Sequence, residues 1–330
     1  MSRIFLTGTT GFIGGHLVRH LARRGEQVTC LVRKENALKG SPHIKLLKEE
    51  LGALCDRELA CRLISGHDYV IHCAAIRGEM RLPWSDYFKI NVDATCSLLE
   101  AAGRAGVKKF LYLSSVGVLG TMPLRLPASE DTPYNPDSNY HRSKALAEKQ
   151  VIECSSSGLD TVVIRPSITY GPEDNGFLLR IIRMAEKGYF PLISGGKNKI
   201  HLTYVDGLVD AMVKALDSSL GSGKRVYTIV DSQPICFKEL IEMIADSLGR
   251  KVKIINIPSK TLLFLGTRSY DAILGPVKKS PSLTMSAKIL ALPWYYDAGR
   301  AKRELSYTPF DTRKRVPETV RWLKENGWLN

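Results

Sequence analysis

The sequence predicts an α/β fold in which a doubly wound parallel sheet is joined to a smaller, discontinuous α/β domain. Three observations carry this expectation. Short apolar runs at 3–6, 27–32, 69–73 and 110–113 suit strands buried on both faces. Helical patterns alternate with those runs, which is the signature of a parallel sheet covered by helices. A cluster of glycines stands directly after the first run.

The first element is Arg3-Ile4-Phe5-Leu6, a strand. Thr7, Gly8, Gly11 and Gly14 follow it as T-G-x-x-G-x-x-G, with Thr10, Phe12 and Ile13 in the gaps. Gly15 to Leu21 then reads as an amphipathic helix that ends near Gly25, a C-cap residue. Strand, glycine turn and helix together make a phosphate-binding loop. Gly8 permits the tight turn, Gly11 lets the backbone approach a pyrophosphate, and Gly14 lets helix and strand pack closely. The helix N-terminus faces the phosphates. The more usual fingerprint is G-x-G-x-x-G; here the first gap is two residues. A dinucleotide held by Gly8, Thr10, Gly11, Phe12, Ile13 and Gly14 is the expectation.

The second strand, Gln27 to Val32, bears on which dinucleotide. An NAD site places an acid at the end of this strand, where it accepts hydrogen bonds from ribose hydroxyls. Here Val32 ends it and Arg33-Lys34 follow. Both cations can pair with a 2′-phosphate. NADP is therefore preferred, with NAD possible because Glu35 is adjacent. The third strand, Tyr69 to Cys73, runs into Ala74-Ala75, small enough for backbone to lie against the adenosine half. His72 reads as a packed strand residue. The seven histidines show no H-E-x-x-H or other metal spacing, so no metal is expected.

The fourth strand, Phe110 to Ser115, ends in hydroxyls, and Asn139 to Glu148 reads as a helix. Tyr140 and Lys144 are i and i+4 on that helix and share a face. A phenol with a pKa near ~10 is a poor base at neutral pH. A neighbouring ammonium favours its phenolate and brings proton transfer within range.

With these residues in place the chain resembles the extended short-chain dehydrogenases/reductases. Within them it is similar to the NAD(P)-dependent epimerase/dehydratase, 3β-hydroxysteroid dehydrogenase and dihydroflavonol reductase-like group, over nearly its whole length. The resemblance implies a Rossmann-type fold and a ketone/alcohol oxidoreductase. It places the catalytic hydroxyl on Ser115 of Leu113–Gly120, and the proton donor and its activating lysine on Tyr140 and Lys144. Lys144 would also hydrogen-bond the nicotinamide ribose. Asn91 of Asn91-Val92-Asp93-Ala94-Thr95 would position a relay water. Arg165 to Pro172 resembles the segment that passes the nicotinamide, so Pro166 and Ile168 join the cofactor contacts. Trp294-Tyr295-Tyr296-Asp297 and Lys302-Arg303-Glu304-Leu305 resemble a C-terminal signature. The resemblance also implies a homodimer, paired through the helix after Asn91 and the helix carrying Tyr140.

Departures separate the subclasses. Sugar-nucleotide dehydratases of this group carry an Asp-Glu pair after the catalytic hydroxyl, where this chain has Val116-Gly117. Elimination of water then lacks its acid and base. Arg33-Lys34 resembles NADP-preferring reductases more than the epimerases. The alternatives are a nucleotide-sugar 4-epimerase with tightly held NAD and a non-catalytic dinucleotide-binding regulator. Intact Ser115, Tyr140 and Lys144 speak against the latter.

The remaining elements complete the division. Residues 176–188 read as a helix, 194–199 as a turn and 226–230 as a strand. Thr203 to Asp206 returns to the first domain, with Asp206 near a helix start. Phe237, Leu240, Ile241, Ile244 and Leu248 line one face of a helix whose simplest role is core. The expected domains are 1–167 with 204–231 and 168–203 with 232–330. Apolar pieces at 261–266, 270–275 and 289–293 most simply pack on the small domain's own core. A greasy pocket, a lid or a membrane interface are the alternatives, and an apolar steroid-, isoprenoid- or acyl-like substrate is favoured.

Composition sets the bounds. At 330 residues roughly two domains are expected. The formal charge of +14 suits a phosphate-rich coenzyme, an anionic substrate or peripheral contact with an anionic membrane. No basic stripe with interleaved aromatics or helix-turn-helix pattern points to nucleic acid. Cys30, Cys55, Cys61, Cys73, Cys96, Cys154 and Cys236 form no C-x-x-C and read as reduced thiols. With no signal peptide pattern and no run of ~18 apolar residues, a cytoplasmic protein acting on a small molecule is expected.

Overall fold

The four apolar runs become neighbours in one sheet. The computed structural model describes residues 1–35, 37–38, 47–78, 82–156, 158–219, 225–257, 264–267, 269 and 283–329. The first half runs β1 (Arg3–Thr7), α1 (Phe12–Arg23), β2 (Gln27–Val32), β3 (Leu47–Leu51), α2 (Arg57–Ile64), β4 (Tyr69–His72) and α3 (Trp84–Tyr87). A π-helical turn, Phe88–Asp93, leads into α4 (Ala94–Ala105). Then come β5 (Lys109–Leu113), a 3₁₀ turn at Val116–Leu119, α5 (Asn139–Ser156) and β6 (Thr161–Pro166). The second half runs β7 (Ile168–Tyr170), α6 (Phe177–Glu186), β8 (Tyr189–Ile193), β9 (Lys199–Ile200), β10 (Leu202–Tyr204), α7 (Val205–Asp217) and β11 (Val226–Ile229). It ends with β12 (Ile235–Cys236), α8 (Phe237–Leu248), β13 (Lys253–Ile257), α9 (Leu283–Ala291), α10 (Gly299–Glu304) and α11 (Thr312–Glu325).

Seven strands form the central sheet in the order β11-β6-β5-β4-β1-β2-β3, and every pairing is parallel. The fold is a doubly wound α/β sheet of the Rossmann type. Side chains alternate between its faces, as the pleat requires. Ile4 and Leu6 join the cluster that includes Leu17 and Leu21 of α1 and Leu208 and Met212 of α7. Phe5 joins the opposite cluster, with Leu59 and Leu63 of α2 and Leu98 and Ala102 of α4. From β1 the chain winds outward through β2 and β3, then returns to build β4, β5 and β6 on the other side. The crevice beyond the C-terminal ends of β1 and β4 is thus the switch point where ligands of such sheets bind. Thr7 and His72 are register partners at its rim.

Three two-stranded ladders, β7 with β10, β8 with β13 and β9 with β12, build the smaller part. The apolar core is continuous across both parts, running from Leu6 to Phe237, Trp294 and Leu323. The C-terminal Trp294–Asp297 segment is threaded between them. Ala128 donates to Tyr295 O at 3.0 Å, and Asp297 N donates to Ala128 O at 2.8 Å. On the other side Trp294 N donates to Lys199 O at 3.0 Å, and Tyr296 N to His201 Nδ1 at 3.3 Å.

Several boundaries differ from the sequence expectation. β4 and β5 stop at His72 and Leu113, so Cys73, Ser114 and Ser115 lie past the strands at the crevice. The Tyr140 helix continues to Ser156. β3 was not expected, because Leu-Lys-Glu-Glu-Leu is a half-exposed edge strand with no apolar run. The 289–293 piece is the end of α9 and the turn after it. The expected pieces at 261–263 and 270–275 lie outside the described residues.

Candidate active site

The glycine loop forms the floor of the crevice. Gly8 has φ +82°, and a Cβ there would stand 2.7 Å from the Ala74 nitrogen. A Cβ on Gly14 would stand 2.1 Å from Gly8 O. Loop, β4 end and helix are therefore packed backbone to backbone. Gly11 caps α1 with no side-chain hydrogen bond, and no acid lies in its first turn. The first N–H groups of an α-helix have no partner within it. Those of Phe12, Ile13 and Gly14 thus form an uncapped, positively polarised donor set that fits a pyrophosphate. Thr10 and Gly11 are exposed, and Phe12 and Ile13 half-buried. Arg33 and Lys34 are exposed beyond β2. Ala74, Ala75 and Ile168 are half-buried and Pro166 is buried, all just past strand ends or at one.

A buried chain of hydrogen bonds ties this loop to Asn91. Ala74 N donates to Thr7 Oγ1 at 3.2 Å, and Thr7 Oγ1 lies 2.7 Å from His72 Nδ1. His72 Nε2 lies 3.0 Å from Thr95 Oγ1, which itself donates to Asn91 O at 2.8 Å. Since the Thr95 proton goes to Asn91, His72 must donate from Nε2 and accept at Nδ1. Burial, aided by the Lys144 ammonium, lowers the His72 pKa to about 3, so the imidazole is neutral. His72 is more than the packed strand residue expected from sequence, since it joins β1, β4 and α4.

Asn91 sits in the π-helical turn and is buried. Its Oδ1 accepts from Ile76 N at 2.8 Å, and its Nδ2 donates to Ile76 O at 3.0 Å and to Ser143 Oγ at 2.9 Å. Ser143 in turn donates to Tyr140 O at 2.8 Å. Asn91 therefore clamps the segment after β4 to the first turn of α5. Both amide protons are committed, so a relay water of the kind expected could be held only through its oxygens.

Tyr140 is half-buried in that first turn. Ser138 caps the helix by accepting from His141 N at 3.1 Å. One turn on, Lys144 is 2% exposed. Its Nζ donates to Leu113 O at 2.6 Å and lies 4.1 Å from the Tyr112 ring centroid. Burial lowers its pKa to about 7, while Cys73 and Glu148 pull it upward. Ser115 is half-buried, and its Oγ accepts from Gly117 N at 3.0 Å, which leaves the hydroxyl proton for an acceptor in the crevice. Tyr140, Lys144, Ser115 and Asn91 thus gather at the β4–β5 end of the sheet. Arg33 and Lys34 stand apart, at the end of β2.

The sequence reading missed the support behind this group. Glu148, one helical turn past Lys144, is completely buried. Its carboxylate accepts from Ser114 Oγ at 2.5 Å, Tyr134 OH at 2.6 Å and Arg165 Nη2 at 2.5 Å. Arg165 is 1% exposed and also donates to Glu130 O at 3.4 Å. The ion pair raises the Arg165 pKa against the pull of burial. The available signal was an acid on the helix face shared by Tyr140 and Lys144, and an arginine inside an otherwise apolar strand.

Among the described residues no group of three or more His, Cys, Asp or Glu could hold a metal. No helix among them is long and apolar enough to cross a membrane.

The chain is similar to known proteins over most of its length. The model of the NAD dependent epimerase/dehydratase family matches residues 4–229. A 4-hydroxy-2-methyl-3-oxo-4-farnesyl-3,4-dihydroquinoline-1-oxide ketoreductase of Stigmatella aurantiaca is 28% identical, over 97% of this chain and 96% of its own length. A UDP-glucose 4-epimerase of Vibrio cholerae is also 28% identical, but over 77% and 78%. The dTDP-glucose 4,6-dehydratase DesIV from Streptomyces venezuelae, solved with NAD and TYD bound, superposes with a TM-score of 0.77 at 25% identity, covering 99% of both chains.

Proposed function

The chain belongs to the NAD dependent epimerase/dehydratase family, and on that premise we propose that it interconverts an apolar ketone and its secondary alcohol with NADP(H). It is an enzyme of the extended short-chain dehydrogenase/reductase group, acting on hydroxyl or keto carbons. The nicotinamide supplies or accepts the hydride when bound; everything else falls to the chain's own groups. The α1 N-terminus and the glycine loop hold the pyrophosphate. Arg33 and Lys34 pair with the 2′-phosphate. Ser115 donates to the carbonyl oxygen where charge develops. Tyr140 gives that oxygen its proton in reduction, or takes it in oxidation. Lys144 favours the phenolate and would hold a hydroxyl of the nicotinamide ribose, its bond to Leu113 O using one of three ammonium protons.

The observation that sets this reading apart from elimination of water is Gly117. The dehydratase position after the catalytic hydroxyl holds no carboxylate. A Cβ at Gly117 would stand 2.3 Å from Cδ2 of His141, so the imidazole fills that space. The ketoreductase relative spans nearly the whole chain, including the second half that would hold the substrate. The exposed cations Arg33 and Lys34 beyond β2 support the proposal of NADP, and the seven free cysteines support a cytoplasmic location. A second copy is proposed to pair on the groove of about 650 Å³ between α4 and α5, lined by Cys96, Leu99, Gln150 and Cys154 among others.

The deciding experiment follows the reduced nicotinamide band at about 340 nm with NADPH, a set of apolar ketones and a set of nucleotide sugars. Stoichiometric loss of NADPH with a ketone supports the reading. Conversion of a nucleotide sugar to its epimer without net loss overturns it in favour of a 4-epimerase.

A further inference from the structure

The carboxylate of Asp137, three residues before Tyr140, collects donors from three parts of the site. Oδ1 accepts from His141 Nδ1 at 2.8 Å and from the Thr121 amide at 3.2 Å. Oδ2 accepts from Lys288 Nζ at 3.0 Å. His141 stands beside Tyr140 at the start of α5. Thr121 directly follows the turn that Ser115 opens and Gly120 closes. Lys288 lies on α9, in the second half of the chain. The Thr121 hydroxyl is also 3.0 Å from Met285 Sδ, so α9 touches this turn at a second point. The two catalytic segments meet through His141 itself: its ring is buried against Gly117, where even a methyl group would overlap it. His141 and Lys288 together draw the Asp137 carboxyl well below the usual range, against its partial desolvation, so it is ionised at neutral pH.

We infer that Asp137 is a positioning residue that registers α9 against the segments carrying Tyr140 and Ser115, so that seating of the substrate half is coupled to alignment of the proton donor. The argument is geometric. A single carboxylate can hold Lys288 and His141 at these distances only while α9 stays within a lysine side chain's reach of the first turn of α5. Charge-assisted hydrogen bonds give that placement more stiffness than neutral ones. The inference rests on the proposed reductase reading for its kinetic part only.

The test uses the full chain with NADPH and a ketone that it reduces. Asp137→Asn keeps the shape and removes the charge. It is expected to lower kcat about tenfold, the usual scale for losing a hydrogen bond to a charged group, while the NADPH Kd stays unchanged. Lys288→Met, at a half-exposed site, is expected to raise KM and lower kcat, and the double variant to be no worse than Asp137→Asn alone. Hydrogen exchange gives a readout independent of turnover: Asp137→Asn should speed exchange in 283–291 and in 139–144 together. Additive kinetic losses, or faster exchange in α9 with none in α5, would overturn the inference. If no ketone is reduced by the unaltered protein, the reductase reading falls, and exchange alone still decides whether Asp137 couples the two helices.

Discussion

Arg165 and Glu148 form an ion pair that water does not reach. The guanidinium Nε stands 3.1 Å from each carboxylate oxygen, and both side chains are almost wholly inaccessible. The pair lies directly behind the end of β5, and its Ser114 branch fixes the residue next to Ser115. Removing one partner leaves a buried charge without compensation, which costs about 3–5 kcal/mol. Glu148→Gln should therefore lower the urea midpoint sharply. Glu148→Gln combined with Arg165→Met should be less damaging than Glu148→Gln alone. Equal damage in the single and the double variant would show that the charge pairing is not what matters.

Tyr140→Phe removes one oxygen and little else. Turnover should fall by ~10²–10⁴, the range for loss of a general acid or base. Calorimetric titration should find NADPH affinity unchanged. Retained turnover would assign the proton to another group.

Arg33→Ala tests the coenzyme. Its guanidinium is exposed beyond β2, so the fold should not depend on it. Loss of a charged hydrogen bond to a 2′-phosphate should weaken NADPH about tenfold or more and leave NADH unaffected. Equal weakening of both, measured by fluorescence titration, would remove the case for NADP.

Stability should fall in mild acid. Burial lowers His72 to about 3 and His201 to about 4, from an ordinary value of 6.5. Below pH 6.5 the unfolded chain takes up these protons and the folded chain does not, so stability present above 6.5 drains away as the pH falls. Asp231 acts in the opposite sense, because burial raises its carboxyl to about 6 and the folded state protonates first. Burial lowers His20 and His67 as well and raises Asp174, so four groups favour the unfolded chain against two favouring the folded, and the sum still declines. The thermal midpoint should drop between pH 6.5 and 4.5, with a shallower slope in His72→Gln. A flat profile would contradict the buried, neutral histidines.

The parts of the site legible in the sequence are those written in adjacent residues. Gly8 to Gly14 could be read because strand, turn and helix follow one another without interruption, and Tyr140 and Lys144 because a helix repeats every four residues. The residues that escaped are defined by partners far along the chain. Asp137 has no meaning without Lys288, 151 positions later. Glu148 resembles any helical surface acid until Arg165 is folded against it. The short ladders β7–β10 and β9–β12 escaped for a related reason, since two or three residues carry too little periodicity to be seen.

The sheet order has a consequence for how the molecule can be divided. β6 is buried along its whole length, and its outer edge pairs with β11, which is made more than fifty residues later. A fragment ending near 167 would present Thr161 to Pro166 as a naked apolar edge, with open amides ready to pair with any neighbour. The nucleotide half is thus a separate shape without being a separable piece. A ribosome that has finished β6 still holds an aggregation-prone intermediate until β11 emerges to close it.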